Sequence, residues 1–128
     1  MPLVDPVRNF AKCTVAQGYD SNATSIVLLA GHGSKLPDPN TEGAFNLVWW
    51  SIEYPDPGDD PNVEIIRCTS KSGDTLTIER GQENTLASNK NLVNRTYFIM
   101  NTLTKKMKDD LQKESRFNSK RVFLLMGA

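Results

Sequence analysis

Apolar residues alternate with polar ones along much of this chain, with the period of strands rather than helices. The clearest run is Glu64 to Arg80. There Ile65, Ile66 and Cys68 lead into Lys71-Ser72-Gly73-Asp74, and Leu76 and Ile78 alternate with Thr75, Thr77 and Glu79 on the way out. Two alternating runs joined by a Ser-Gly-Asp break predict a half-buried hairpin. Upstream, Asn9 to Tyr19 carries Phe10, Cys13 and Val15 and predicts a first strand, ended by Gly18. Ser25 to Ala30 is a continuous apolar run, the pattern of a strand buried on both faces. Ala44 to Glu53 puts Phe45, Leu47 and Trp49 on one face and Val48, Trp50 and Ile52 on the other, so this strand is expected to be covered on both sides. Leu92 to Met100, rich in β-branched and aromatic residues, predicts a further strand.

Turn chemistry separates these runs. Asp20-Ser21-Asn22 offers side chains that bond nearby backbone. Gly31 to Gly43 holds three glycines and two prolines and predicts a loop. Tyr54 to Asn62 holds three prolines and three aspartates, a density that excludes helix and central strand alike. After the last strand the period changes. Leu103, Met107 and Leu111 recur at helical spacing behind Thr102 or Thr104 as N-cap, predicting a helix near 102–115. Lys105, Lys106 and Lys108 sit early in it and Asp109, Asp110 and Glu114 late, which opposes the helix dipole, so the helix depends on packing. Residues 1–8 read as an extended N-terminal arm and 9–128 as a single β-rich domain, with an apolar strand or tail at 120–126. The fold class expected is mainly β: an antiparallel sandwich or small barrel with one C-terminal helix.

Composition narrows the partners. The 128 residues suffice for one core without staples, and 38% hydrophobic with 23% charged residues is ordinary for a globular chain. Fifteen basic and fifteen acidic residues leave no net charge, so no global field draws nucleic-acid phosphates or an anionic membrane. No charged-then-apolar leader opens the sequence and no apolar stretch is long enough to span a bilayer. Cytoplasmic synthesis without an export signal is therefore expected. Cys13 and Cys68 form neither a disulfide framework nor a zinc site and read as buried thiols acting as small hydrophobes.

No residue pattern carries a catalytic signature. His32 is the only histidine, set between Gly31 and Gly33 in a loop with Asp38 and Glu42 as its only nearby acids, and the glycines read as positive-φ turn residues. The sequence Gly31-His32-Gly33-Ser34-Lys35 lacks the ending and the following helix of a phosphate-binding loop. Glu53, Asp56, Asp59 and Asp60 are the one carboxylate cluster suited to calcium, although their spacing is not that of an EF-hand, and they read as solvated turn residues, with Asp60 capping the start of the Glu64 strand. Glu64 and Glu83 are the only pair of acids that a glycosidase would use. The alternative reading for Glu64, Arg67, Arg80 and Glu83 is structural: cross-strand pairs, with Arg80 tying down the following loop. Lys105, Lys106, Lys108, Lys113, Arg116, Lys120 and Arg121, with Phe117 among them, make the last quarter basic, but the interleaved acids favour a solvated face over nucleic-acid contact. Trp49, Trp50 and Tyr54 would form an aromatic platform for carbohydrate if exposed. No catalytic, cofactor-binding or metal-binding residue is assigned.

The wording E-I-I-R-C-T followed by S-G-D-T-L-T-I-E-R-G-Q-E-N-T-L-A at Glu64 to Ala87 resembles a β-rich module of tailed-bacteriophage virion structural proteins, of the tail-fibre or minor structural type. The stretches N-A-T-S-I-V-L-L-A-G-H-G at Asn22 to Gly33 and F-N-L-V-W-W at Phe45 to Trp50 fit the same resemblance, which covers roughly residues 10–100. It implies a non-enzymatic virion component that attaches or decorates through contacts with capsid, portal or neck, baseplate or fibre subunits, and that forms homo-oligomers. A carbohydrate-binding module is the alternative.

Overall fold

The alternating runs become strands whose every second side chain points into one core. A computed structural model describes residues 4–102 and 104–113, and within them six strands form one antiparallel sheet. In chain order these are β1 (Lys12–Thr14), β2 (Ser25–Val27), β3 (Phe45–Ser51), β4 (Glu64–Ser72), β5 (Thr75–Gln82) and β6 (Tyr97–Met100). Their spatial order is β1-β6-β3-β4-β5-β2. The sheet curls into a half-barrel, and its edges touch where Val15, just past β1, bridges Leu28, just past β2. Ala16 N–H donates to Val27 O at 2.9 Å and Leu29 N–H to Thr14 O at 3.0 Å across that seam. One curled sheet, rather than two packed layers, is the barrel form of the expected fold.

The curl has a local cause. In the β4–β5 pair the register shifts twice, between Ile65 and Arg67 and between Cys68 and Ser70. Such irregularities bend a strand and increase its twist, which lets a six-stranded sheet close on itself. Inside the curl lie Cys13, Val15, Ile26, Leu28, Phe45, Leu47, Trp49, Ile66, Cys68, Leu76, Ile78, Tyr97 and Ile99, all buried. Trp49 and Trp50 leave β3 on opposite faces and both are buried: Trp49 in the core, Trp50 edge-on against Phe98 at 5.7 Å.

Several predicted elements shrink. The first strand keeps only Lys12–Thr14, because Phe10 adopts φ 58° in a turn and is 96% exposed. The run at Ser25 to Ala30 is not covered on both sides. At the sheet edge it points Ile26 and Leu28 inward and leaves Val27 and Leu29 exposed. The strand predicted from Leu92 begins only at Tyr97, since Asn94 turns the chain at φ 62°. The Gly31–Gly43 loop contains a single 3-10 turn at His32–Lys35 and a one-turn helix α1 (Pro39–Glu42), capped by Asp38. The C-terminal helix, α2, spans residues 105–113, with Thr104 Oγ1 accepting from Met107 N–H at 3.4 Å. Of its predicted stripe, Met107 is buried, Leu111 is 46% exposed, and Leu103 lies outside the described residues, as do Glu114 and the tail at 120–126.

The hairpin tip is clamped by the loop that follows β2. β4 and β5 join through Gly73-Asp74, with Gly73 at φ 61°, a two-residue connection led by glycine. The Asp74 carboxylate accepts from Gly31 N–H at 3.1 Å and Gly33 N–H at 2.8 Å, which holds it below the usual carboxylate range. Lys71 Nζ donates to Gly33 O at 2.8 Å and Leu36 O at 3.3 Å. Gly31 needs its positive φ of 84°, as expected, but Gly33 is required for a different reason: a Cβ there would sit 2.1 Å from Gly73 O. Gly33→Ala is therefore expected to destabilise the fold by about 1–3 kcal/mol through overpacking against backbone. Gly31→Ala, with open space around it, is expected to cost about 1–2 kcal/mol from backbone strain alone. Urea denaturation of both variants checks this, and an unchanged midpoint for Gly33→Ala would refute the close approach.

Cys13 and Cys68 are free and buried, and burial pushes each thiol from 9.0 up to about 11. A raised thiol pKa means the folded chain holds its proton more tightly than the unfolded chain does. The associated stability is present below pH 9.0 and is lost as pH rises towards about 11. At pH 8 neither thiol is expected to react with an aromatic disulfide reagent until denaturant is added. Rapid labelling of the native chain would contradict the burial.

Candidate functional site

Glu64 stands opposite Trp49 in the β3–β4 register, on the inner face, and is fully buried. Arg80 meets it with a fork: Nε donates to Oε2 at 2.6 Å and Nη2 to Oε1 at 2.8 Å. Gly81 N–H and Ser88 N–H add bonds of 3.0 and 3.1 Å to the same carboxylate. Lys90, also fully buried, places Nζ 3.3 Å from Oε1 and 2.9 Å from Asn62 O, and contacts Ser88 Oγ. Burial pushes the Glu64 carboxyl up, but the Arg80 fork and the two backbone donors outweigh it and hold it below the ordinary value. Burial pulls Lys90 down, and the adjacent Glu64 carboxylate restores only part of the difference.

Both cations also lie over the Trp49 indole, Arg80 at 4.9 Å and Lys90 at 5.4 Å from the ring centroid, while Tyr19 meets the ring edge-on at 6.4 Å. Arg80 spends its remaining donors on carbonyls: Asp20 O at 2.6 Å, Ala23 O at 3.2 Å and Ser88 O at 2.7 Å. The expected loop-tying role of Arg80 is thus visible in its bonds, and it extends to a second loop. Lys90, which the sequence pattern did not single out, is the member that was missed. Its polar surroundings gave no periodic signal, and only the fold brings it beneath the indole. The chemistry this arrangement supports is cohesion, since each charged atom is saturated by a partner inside the chain.

Arg67 and Glu83 belong to a second network, on the opposite face of the sheet. Arg67 Nη1 donates to Asp5 at 3.0 Å and to Asn46 Oδ1 at 2.9 Å. Asn46 Nδ2 donates to Glu83 Oε2 at 2.7 Å, and Glu83 Oε1 accepts from Lys106 N–H at 2.9 Å at the start of α2. Lys106 Nζ returns to Asp5 at 3.4 Å and to Asp110 at 2.9 Å. The acid Glu83 thereby supplies the negative charge that the helix N-terminus lacks in its own sequence. Glu64 and Glu83 sit on opposite faces and share no cleft. The described part of the N-terminal arm, residues 4–8, is bound to the sheet by Asp5 and by Arg8 N–H on Asn101 Oδ1 at 2.9 Å.

The remaining candidates are dispersed. His32 Nδ1 accepts from Thr14 N–H at 2.9 Å and so fastens β1 to the clamp loop. Glu53 pairs with Arg95, Asp56 caps the 3-10 turn at Gly58 N–H (2.9 Å), and Asp60 accepts from Ser51 N–H and Asn62 N–H at 2.9 and 2.8 Å. Asp60 therefore ties the loop to the end of β3 as well as to the approach to β4. Among the described residues no three His, Cys, Asp or Glu side chains group as metal ligands. Lys105 and Lys106 pair with Asp109 and Asp110, one turn on. With Trp49 and Trp50 both buried, the two indoles offer sugar no exposed platform, and Trp50 Nε1 is spent on Tyr54 O at 3.0 Å.

What the described surface does offer is an apolar groove of about 460 Å³ between the arm and α2. Val4, Val7, Phe10, Met100, Met107 and Leu111 line it, and Val7, Phe10 and Leu111 are exposed. No protein-family model matches the chain, and no curated protein matches it either.

The buried cluster yields a direct test. Glu64→Gln leaves two buried cations without their acid and is expected to cost about 3–5 kcal/mol. Lys90→Met leaves the Arg80–Glu64 fork intact and keeps an apolar body under the indole, so its loss is expected to be clearly smaller. Chemical denaturation at pH 7 distinguishes them, and equal losses would deny Glu64 its central place. Because Glu64 is held below its unfolded value, its contribution is present above pH 4.5 and is lost as pH falls through the folded value.

Proposed function

We propose that this chain is a non-enzymatic structural protein of a tailed-phage particle, attaching or decorating through protein–protein contacts. The reading begins from the resemblance carried by Glu64 to Ala87. The observation that carries it further is the distribution of used and unused surface. The charged side chains that chemistry would recruit are bonded within the chain, whereas three of the exposed apolar side chains, Val7, Phe10 and Leu111, meet around one groove, with Phe10 96% exposed at its rim. Exposed apolar surface collected in one place is the usual mark of a protein contact. The partners are capsid, portal or neck, baseplate or fibre subunits, and the chain acts in several copies, because shells and tails are symmetric and repeated weak contacts add through effective concentration.

Quantitative mass spectrometry of purified particles from the phage that encodes the chain tests the reading. The chain is expected at a fixed copy number per particle, and Phe10→Asp is expected to lower that number at least several-fold without unfolding the chain. Absence of the wild-type chain from particles, or its origin in a genome with no virion genes, would overturn the proposal.

A further inference from the structure

The groove between the arm and α2 has apolar walls on both sides. Val4, Val7 and Phe10 come from the arm and the turn after it, and Met107 and Leu111 from the helix. Its outer wall is held open at a cost. Phe10 takes φ 58°, a conformation that bulky residues rarely adopt, and the turn on either side is fixed by Asn101, whose Oδ1 accepts from Arg8 N–H at 2.9 Å and whose N–H donates to Ala11 O at 3.0 Å. Leu111, two positions before the last described residue, lines the groove. Beyond Lys113 the sequence continues to Val122-Phe123-Leu124-Leu125-Met126, an uninterrupted apolar run.

We propose that the groove is the docking site for this chain's own segment Val122–Met126, folded back within the same copy. The nine-residue step from Lys113 to Val122 reaches at most about 30 Å, ample for a site that begins at Leu111. A tether of that length keeps the segment at an effective concentration on the order of millimolar, so the same copy is favoured over a neighbour in dilute solution. The apolar side chains of the segment match Val7, Phe10, Met107 and Leu111, and the flanking Lys120 and Arg121 remain free to stay in water. The inference concerns the free chain: a partner subunit could use the same groove only after the segment has left it.

Disulfide trapping in the full-length chain tests it. Val7→Cys is combined in turn with Phe123→Cys and with Leu124→Cys, and Leu86→Cys, 83% exposed and away from the groove, replaces Val7→Cys as the control. Mild oxidation is expected to give an intrachain disulfide, seen as a monomer of altered mobility, in several-fold higher yield from Val7→Cys than from the control. Adding Phe10→Asp is expected to bring that yield down to the control level. Interchain dimers would assign the groove to a second copy and overturn the proposal. Equal yields from the two sites, or yields indifferent to Phe10→Asp, would show that the segment does not dock there.

Discussion

The bonding of Arg80 to Glu64 beneath Trp49 is the constraint on which the rest of this fold depends. One end of the half-barrel is crossed by irregular chain, and the carbonyls of Asp20, Ala23, Asn62 and Ser88 there need donors. Asp20 O accepts from Ala23 N–H at 3.4 Å, but no strand passes to pair the others, and the cations reach all four. Arginine and lysine are all donor, so Arg80 and Lys90 answer several carbonyls each. Two cations in the interior then require an acid, which Glu64 provides, and a polarisable surface, which the indole provides. Ion pairs of this kind add little net stability against an apolar replacement of equal size. Their value here is positional: they hold two loops and two strands to one point.

The two faces of the sheet differ in how firmly they are covered. The inner face is sealed by core side chains and by the Glu64 cluster. On the outer face, the described part of α2, residues 105–113, has Met107 as its fully buried apolar side chain and Lys-to-Asp pairs in the less favourable order along its axis. What keeps it in place is the chain of bonds from Asp5 through Arg67, Asn46 and Glu83 to its own first turn. Local opening of such an element lies well below global unfolding in free energy. Opening of the outer face would therefore begin with these bonds rather than with the loss of core packing.

Period-2 patterning made β3 and the β4–β5 hairpin legible, because Phe45, Leu47 and Trp49, then Glu64, Ile66 and Cys68, then Leu76 and Ile78 each alternate inward. That pattern gave no sign of the two register shifts between β4 and β5. It overextended the first and last strands, where apolar residues are present but the backbone turns: Phe10 and Asn94 take positive φ, which no count of hydrophobic residues reveals. Ser25 to Ala30 misled in a different way. Its continuous apolar run suggested cover on both sides, yet the edge of the sheet leaves Val27 and Leu29 in water. For the candidate site, Glu64 and Arg80 announced themselves by opposite charge on paired strands. Asn46 and Lys90 did not, since a buried polar residue is recognised by its partners, and Arg67, Glu83, Asn62 and Glu64 stand 21 or more positions away from them.

Phe10 shows how local strain and global shape are joined. A phenylalanine in the left-handed region is strained by roughly 1–3 kcal/mol and persists only where its neighbours leave no alternative. Asn101, nearly buried, supplies that compulsion by bonding the backbone on both sides of the turn, and its Nδ2 also reaches Pro6 O at 3.4 Å. Relaxing the turn would break these bonds at the end of β6 and release the arm that carries Asp5, with it the ion pair to Arg67 and the contact to Lys106. The exposure of the ring is thus enforced by Asn101, on the same arm whose Asp5 begins the chain of bonds to α2. A surface held in that way retains its shape while empty, so an apolar segment that enters the groove need not order it first, and less of its binding energy is lost to that ordering.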